Sequence, residues 1–338
     1  MNDQSAQHPT GGRPDDKKLW DVVFGAFGYP AVLIAHKLRI FAMLADGPAS
    51  LAELCRATQL ERRPAQAILS VACSLGFLEN RAGNYHLTPV ATRYLTPGGP
   101  DYFGAYWDFM IENHKLFTFE TLEKAVLDDA PQGHTPEWRM RQPDSFVAAM
   151  RSIGASASTW PELLDLTENR MLLDIGGGPA THAMAAVRKW PNLRATVFDL
   201  EYVTAIAQED VERQGLSDRV QMRAGDMWTD PFPAADLHLY SYVFHTQPIE
   251  KCGFLARKSF ASLPPGGRAI VHQVFYDADK TGPFAAAAFA VEMLSWNSGE
   301  QYSTSEISKV LAEAGFADLQ LKATFGYCSM IIGTKPNR

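Results

Sequence analysis

The period of the apolar positions changes about halfway along this 338-residue chain. Over residues 19–44 (LWDVVFGAFGYPAVLIAHKLRIFAML) a helix would be apolar on nearly every side, with Gly25, Gly28 and Pro30 as interruptions. Such a helix must be buried against something. A small domain offers it little core, so a partner chain is expected there. Ser50-Leu51-Ala52-Glu53 has the spacing of a capping box opening a short helix. A second helix is expected over 63–75, stopped by Gly76, and then a hairpin over 76–87 with its turn at Gly83-Asn84. Two helices followed by a hairpin outline a winged helix over 19–100, after a polar lead-in (1–18) expected to be disordered. Over 101–165, aromatics at helical spacing (Tyr102, Phe103, Tyr106, Trp107, Phe109) predict long helices linking the two halves, a spacing that more often marks core than ligand contacts. Residues 130–141 read as a loop from their Pro and Gly.

After Asn169 short apolar runs alternate with helical stretches. Strands are predicted over 171–175, 195–200, 220–223, 237–244 and 268–275, with helices reaching 189 and 214. Strands alternating with helices predict a parallel sheet covered on both faces, an α/β domain over 166–338.

Charge and cysteine usage narrow the function. Lys plus Arg is 31 against 38 Asp plus Glu, a net charge of −7, which repels phosphate backbones on average. The would-be recognition helix carries only Arg62 and Arg63 at its start, so no nucleic-acid partner is expected. Cys55, Cys73, Cys252 and Cys328 form no C-x-x-C pair, which speaks against structural zinc and a disulfide framework and for a reducing cytoplasm. The polar N-terminus is no signal peptide. No uninterrupted apolar run reaches the roughly 18 residues of a bilayer span, and no membrane is expected.

Candidate chemistry begins where the first strand of the second half runs into its helix, at Asp174-Ile175-Gly176-Gly177-Gly178. Glycines there let the backbone approach a ligand, and the helix offers its positive end. Asp199 ends the next strand, where a carboxylate can hold both ribose hydroxyls. Asp226 and Met227, after the third strand, could hold an adenine. NAD is a competitor, but the run is not G-x-G-x-x-G, and no Gly-Lys-Ser/Thr marks a P-loop. An unliganded domain with tight turns also fits these residues.

Together these motifs resemble the plant-type O-methyltransferase family, which includes caffeate, hydroxyindole and bacterial natural-product methyltransferases. The resemblance runs from Leu19 to Lys335. It rests on Leu173–Gly178, Val197-Phe198-Asp199-Leu200, Gly225-Asp226-Met227-Trp228, Leu263–Arg268 (LPPGGR) and Ala314-Gly315-Phe316. It implies a winged-helix-like dimerisation domain forming a homodimer and a C-terminal Rossmann-like class I methyltransferase domain. The cofactor implied is S-adenosylmethionine, released as S-adenosylhomocysteine, without a metal. Asp174, Gly176, Gly178, Asp199, Leu200, Asp226, Met227 and Ser241 would line it.

The resemblance also implies a catalytic histidine after the fourth strand, matched by His245 in Phe244-His245-Thr246-Gln247-Pro248. Two acidic residues orient that histidine in phenol-methylating relatives; here the positions fall at Gln273 and Gln301, with Glu300 and Glu292 close to the second. A carboxylate stabilises imidazolium, whereas an amide can only orient the ring. The acceptor is therefore expected to be acidic, or to have no proton to lose. The second case favours thioether sulfur, as in the bacterial group that methylates 4-methylthio-2-hydroxybutyrate on the route to dimethylsulfoniopropionate. O-methylation of a phenol, enol or carboxylate is the alternative. A cofactor-binding pericyclase or lyase, or a regulatory winged-helix dimer, is a reading of another class. Acceptor contacts are expected from Tyr106, Trp107, Met110, Met150, Met293, Trp296 and Asn297, and from Tyr29 toward a partner's pocket. Arg139, Arg141 and Arg151 are candidates for a substrate carboxylate.

Overall fold

Pro30 does not stop the first helix. In the computed structural model, which describes residues 15–99, 101–131 and 143–337, α1 runs over Lys17–Lys37 with Pro30 inside it. The break comes at Arg39, in the left-handed region (φ 59°), and α2 follows over Ile40–Ala45. The expected single apolar segment is thus two helices. The chain divides into two compact units, Met1–Gly104 and Ala105–Arg338.

Within the first unit α1 buries only Val32 and Ala35. Leu19, Trp20, Val22, Phe24 and Phe27 stay exposed. By length and composition α1 is long and apolar enough to cross a bilayer, although its uninterrupted apolar run, 22–35 between Asp21 and His36, stays short of the expected span length. The capping box forms as its spacing predicts: the Ser50 N–H donates to Glu53 Oε2 at 2.7 Å and the Glu53 N–H donates to Ser50 Oγ at 3.3 Å. It opens α3 (Leu51–Thr58), followed by α4 (Arg62–Ser74). Strands β1 (Ala49–Ser50), β2 (Leu78–Arg81) and β3 (Asn84–Leu87) make a small sheet in the order β1-β3-β2, and α5 (Pro89–Leu95) follows.

The second unit opens with short segments rather than the long helices expected. They are α6 (Gly104–Glu112), a 3-10 turn (His114–Phe117), α7 (Phe119–Asp128) and α8 (Pro143–Ser152). Local caps divide them: the Thr118 side chain accepts from the Thr121 N–H at the start of α7. Most of the loop expected over 130–141, with Arg139 and Arg141, lies outside the described residues. Seven strands then form one sheet in the order β6-β5-β4-β7-β8-β10-β9. These are β4 (Met171–Ile175), β5 (Arg194–Asp199), β6 (Val220–Ala224), β7 (Leu237–Ser241), β8 (Arg268–Val274), β9 (Ala317–Ala323) and β10 (Cys328–Thr334). The first five pair in parallel, while β10 runs antiparallel to both β8 and β9. Helices α9 (Thr181–Lys189), α10 (Glu201–Arg213), α11 (Ile249–Ser262), α12 (Phe284–Trp296) and α13 (Thr304–Glu313) complete the unit.

Strand alternation builds a core on each face of this sheet. Leu173, Tyr240 and Val271 pack on one face and their neighbours Leu172, Leu239 and Ile270 on the other. Parallel strands covered on both faces place their C-terminal ends, at Ile175, Asp199 and Ser241, where ligands bind open α/β sheets.

Candidate active site

The Gly-rich turn leaves β4 with Gly176 at φ 67° and Gly178 at φ 52°, a region a side chain rarely adopts. A Cβ on Gly176 would meet Val243 at 2.9 Å, whereas one on Gly178 would meet nothing within 4 Å. The Gly178 backbone therefore faces open space, as a cradle for a ligand requires. Asp199 braces this turn: its Oδ2 accepts from the Gly178 N–H at 2.9 Å and its Oδ1 from the Leu200 N–H at 2.7 Å. The Leu200 side chain itself is exposed. Asp174 is fully buried beneath the turn, and burial, with the Asp199 charge second, pushes its carboxyl up to about 7. After β6, Asp226 Oδ1 accepts from the Trp228 N–H at 2.8 Å, and Lys258 Nζ donates to the Met227 carbonyl at 2.7 Å. These contacts set Asp226 and Met227 on a fixed turn.

Ser241 lies at the end of β7 in a network that sequence reasoning missed. Its hydroxyl bonds His182 Nε2 at 2.8 Å and His272 Nδ1 at 3.1 Å, and His272 Nε2 meets the Thr324 hydroxyl at 2.9 Å. Burial holds both rings below the usual imidazole range, His272 at about 4. The available signal was a histidine flanked by apolar residues on each element, beside Ala183 and Met184 on α9 and beside Ile270 and Val271 on β8.

Strand β7 stops three residues earlier than predicted because Tyr242 is in the left-handed region, φ 55°. A bulky residue there is a strained position of the kind that clusters at functional sites. The turn carries the chain into a 3-10 segment, Phe244–Thr246, and buries His245. The imidazole packs edge-on against Tyr242 and Phe289, with ring centroids 5.5 and 5.0 Å away. Burial pushes it down to about 3, so the ring is neutral at neutral pH.

Neither expected partner is bonded to that ring. Gln273 Oε1 accepts from the backbone N–H of His245 at 3.2 Å, and Gln301 Nε2 donates to the Val274 carbonyl. His245 Nδ1, Gln273 Nε2 and Gln301 Oε1 are buried without a hydrogen-bond partner among the described residues. Gln273 thus holds the loop rather than the imidazole.

The expected acceptor residues largely converge. Tyr106, Met110, Met150, Met293 and Trp296 share one cluster with Phe109, Phe146 and Phe289, and Phe109 stacks on Trp296 at 5.2 Å. Trp107 is buried outside that cluster, since Tyr106, Phe109 and Met110 share one helix face and Trp107 does not. The Asn297 side chain closes the end of α12, its Oδ1 accepting from the Gly299 N–H at 2.8 Å. Tyr29 belongs to the first unit and is exposed. Arg151 is paired with the buried Asp210, which Arg213 also bonds at 2.7 Å, so it is not a free carboxylate receptor. Phe289, in an Ala-rich run (FAAAAFAVEM), was missed; its three- and four-residue spacing to Glu292 and Met293 was the available signal. Among the described residues no group of His, Cys, Asp and Glu is placed to hold a metal.

Known proteins match both units. Residues 145–317 fit the model of an O-methyltransferase domain and residues 20–97 that of an O-methyltransferase dimerisation domain. The chain is 30% identical over 310 residues to 3-hydroxy-5-methyl-1-naphthoate 3-O-methyltransferase of Streptomyces sahachiroi, covering 89% of this chain and 90% of that one. It is 29% identical to the tetracenomycin polyketide synthesis 8-O-methyl transferase TcmO of Streptomyces glaucescens, covering 92% and 94%. The crystal structure of human N-acetylserotonin methyltransferase in complex with SAM has the same fold, with a TM-score of 0.83 at 24% identity over 96% of this chain and 99% of that one. The chain belongs to the O-methyltransferase family, enzymes that take their methyl group from S-adenosylmethionine.

Proposed function

We propose that this enzyme transfers a methyl group to a hydroxyl of a small aromatic acceptor. The observation that carries this reading is the position of Phe289. Its ring packs on His245 and also belongs to the cluster of Tyr106, Phe109, Met150, Met293 and Trp296. A flat apolar wall therefore ends at an imidazole. S-adenosylmethionine would supply the electrophilic methyl group: the O–CH3 bond would form as the S–CH3 bond breaks, leaving S-adenosylhomocysteine, and the acceptor's proton would pass to solvent. Gly176, Gly178, Asp199, Asp226 and Met227 would hold the cofactor, and proximity and orientation do most of the catalytic work.

Neutral His245 accepts a hydrogen bond from the acceptor hydroxyl and aims its oxygen. Burial disfavours the imidazolium, and among the described residues no carboxylate is bonded to the ring to neutralise it. The site thus suits a phenol or enol acidic enough to part with its proton. The preference for sulfur rested on amides replacing carboxylates beside the ring. Both amides bond backbone instead, so the exchange says nothing about whether a proton leaves. Incubation with S-adenosylmethionine and a panel of phenols, naphthols and thioethers tests the reading. An aryl methyl ether is the expected product, and a sulfonium product or a C-methylated ring contradicts it.

The apolar face of α1 supports a homodimer. Trp20, Phe24 and Phe27 are half or more exposed, and burying each such side chain is worth about 2 kcal/mol. Light scattering at micromolar concentration is expected to give twice 37.3 kDa, and Phe24→Glu to shift the protein toward monomer. A mass of 37.3 kDa for the unaltered protein contradicts the dimer.

A further inference from the structure

Glu292 lies three residues beyond Phe289 on α12, one turn along the same helix face from the ring that packs on His245. The Tyr106 hydroxyl donates to its Oε1 at 2.8 Å, and the Trp296 side chain donates to it from the next turn. No ion pair compensates it among the described residues. Two neutral donors leave about half of a carboxylate's acceptor capacity unused and its charge unmatched, a costly arrangement for a shielded ion. Burial correspondingly raises the Glu292 carboxyl above the usual range.

Aromatic residues neighbour this carboxylate. Its two donors, Tyr106 and Trp296, are themselves aromatic and share one cluster with Phe109, which stacks on Trp296 with ring centroids 5.2 Å apart. A carboxylate among aromatic faces is the chemistry that recognises an ammonium group, through a charge-assisted hydrogen bond and cation–π attraction. Neighbouring turns of a helix are about 5–6 Å apart, on the scale of one aromatic ring. An acceptor with its hydroxyl at His245 would carry its other end to Glu292.

We propose that Glu292 anchors a protonated amine on the acceptor, so that the enzyme selects aromatic hydroxyl compounds bearing an ammonium side chain. This rests on the aromatic-hydroxyl reading above and adds the charge of the acceptor's far end. The test is calorimetric binding to the full-length protein saturated with S-adenosylhomocysteine, using three phenols of matched shape. These are tyramine (cationic), 4-ethylphenol (neutral) and 3-(4-hydroxyphenyl)propionate (anionic). Tyramine is expected to bind about tenfold or more tighter than either of the others. Glu292→Gln, nearly isosteric, is expected to shrink the tyramine preference over 4-ethylphenol to about twofold or less. The variant's affinity for S-adenosylhomocysteine reports that it is folded. Equal affinities, a preference for the anion, or a loss in Glu292→Gln that is the same for all three phenols overturns the anchor. Tight, Glu292-dependent tyramine binding without methyl transfer to oxygen would keep the anchor and refute O-methylation. Ether formation from all three phenols at equal kcat/KM would do the reverse.

Discussion

Lowering the pH from 7 to 5 is expected to cost this protein about 4 kcal/mol of folding stability. The source is a set of histidines buried in their neutral form. Burial pushes His238 and His245 down to about 3 and His272 to about 4, against about 6.5 in the unfolded chain. Their folded values lie below the unfolded one, so the unfolded state binds more protons through this range. The stability they contribute is whole above about pH 6.5 and is lost as the pH falls toward the folded values. At pH 5 each of the three has cost about 2 kcal/mol, and His182 shifts in the same direction. Asp174 opposes them. Its carboxyl is pushed up to about 7, so its contribution is present at low pH and lost as the pH rises through that value; it returns about 2 kcal/mol on the way down to pH 5. The histidines win by number. Urea midpoints at the two pH values measure the balance, and His272→Asn is expected to lessen the pH dependence by about 2 kcal/mol. An unchanged or higher midpoint at pH 5 contradicts the buried neutral network.

Asp199→Ala is expected to weaken S-adenosylhomocysteine binding by about 1–3 kcal/mol, five- to 150-fold. The carboxylate has two roles that Ala removes together. One is the proposed contact to the ribose hydroxyls; the other is the bond to the Gly178 N–H that holds the Gly-rich turn. Asp199→Asn keeps an acceptor without the charge and should fall between the two. Calorimetry on the three proteins decides it. Unchanged affinity in Asp199→Ala, or binding of NAD in place of the adenosyl ligand, contradicts the cofactor assignment.

Periodicity made the parallel strands legible, because a strand buried on both faces is a short apolar run between turns. Met171–Ile175 and Arg268–Val274 sit within a residue of where the pattern puts them. The capping box at Ser50 was legible because it is a local device with its own spacing. Strands β9 and β10 were not expected. The β9 stretch (ADLQLKA) is mostly exposed at the sheet edge, and β10 slots antiparallel between it and β8, a long-range pairing that leaves little local trace. The end of β7 was misplaced because nothing in Ser241-Tyr242-Val243 announces a left-handed tyrosine.

At the site, residue types were legible and hydrogen bonds were not. His245, Asp199 and the Gly176–Gly178 turn stand where spacing puts them. Gln273 and Gln301 occupy the expected neighbourhood, yet bond backbone atoms rather than the imidazole. A side chain can turn to the nearer donor or acceptor, and sequence does not encode which it takes. Glu292 was visible only as a charge near Gln301, and its partner Tyr106 is 186 residues away.

The central claim is methyl transfer to an aromatic hydroxyl beside a neutral histidine. It is tested most directly by counting protons and S-adenosylhomocysteine released per turnover with a phenolic acceptor in weak buffer. One proton for each S-adenosylhomocysteine, together with an aryl methyl ether as product, is the predicted result. Turnover on a thioether that releases S-adenosylhomocysteine and no proton, with phenols left unmethylated, would contradict it.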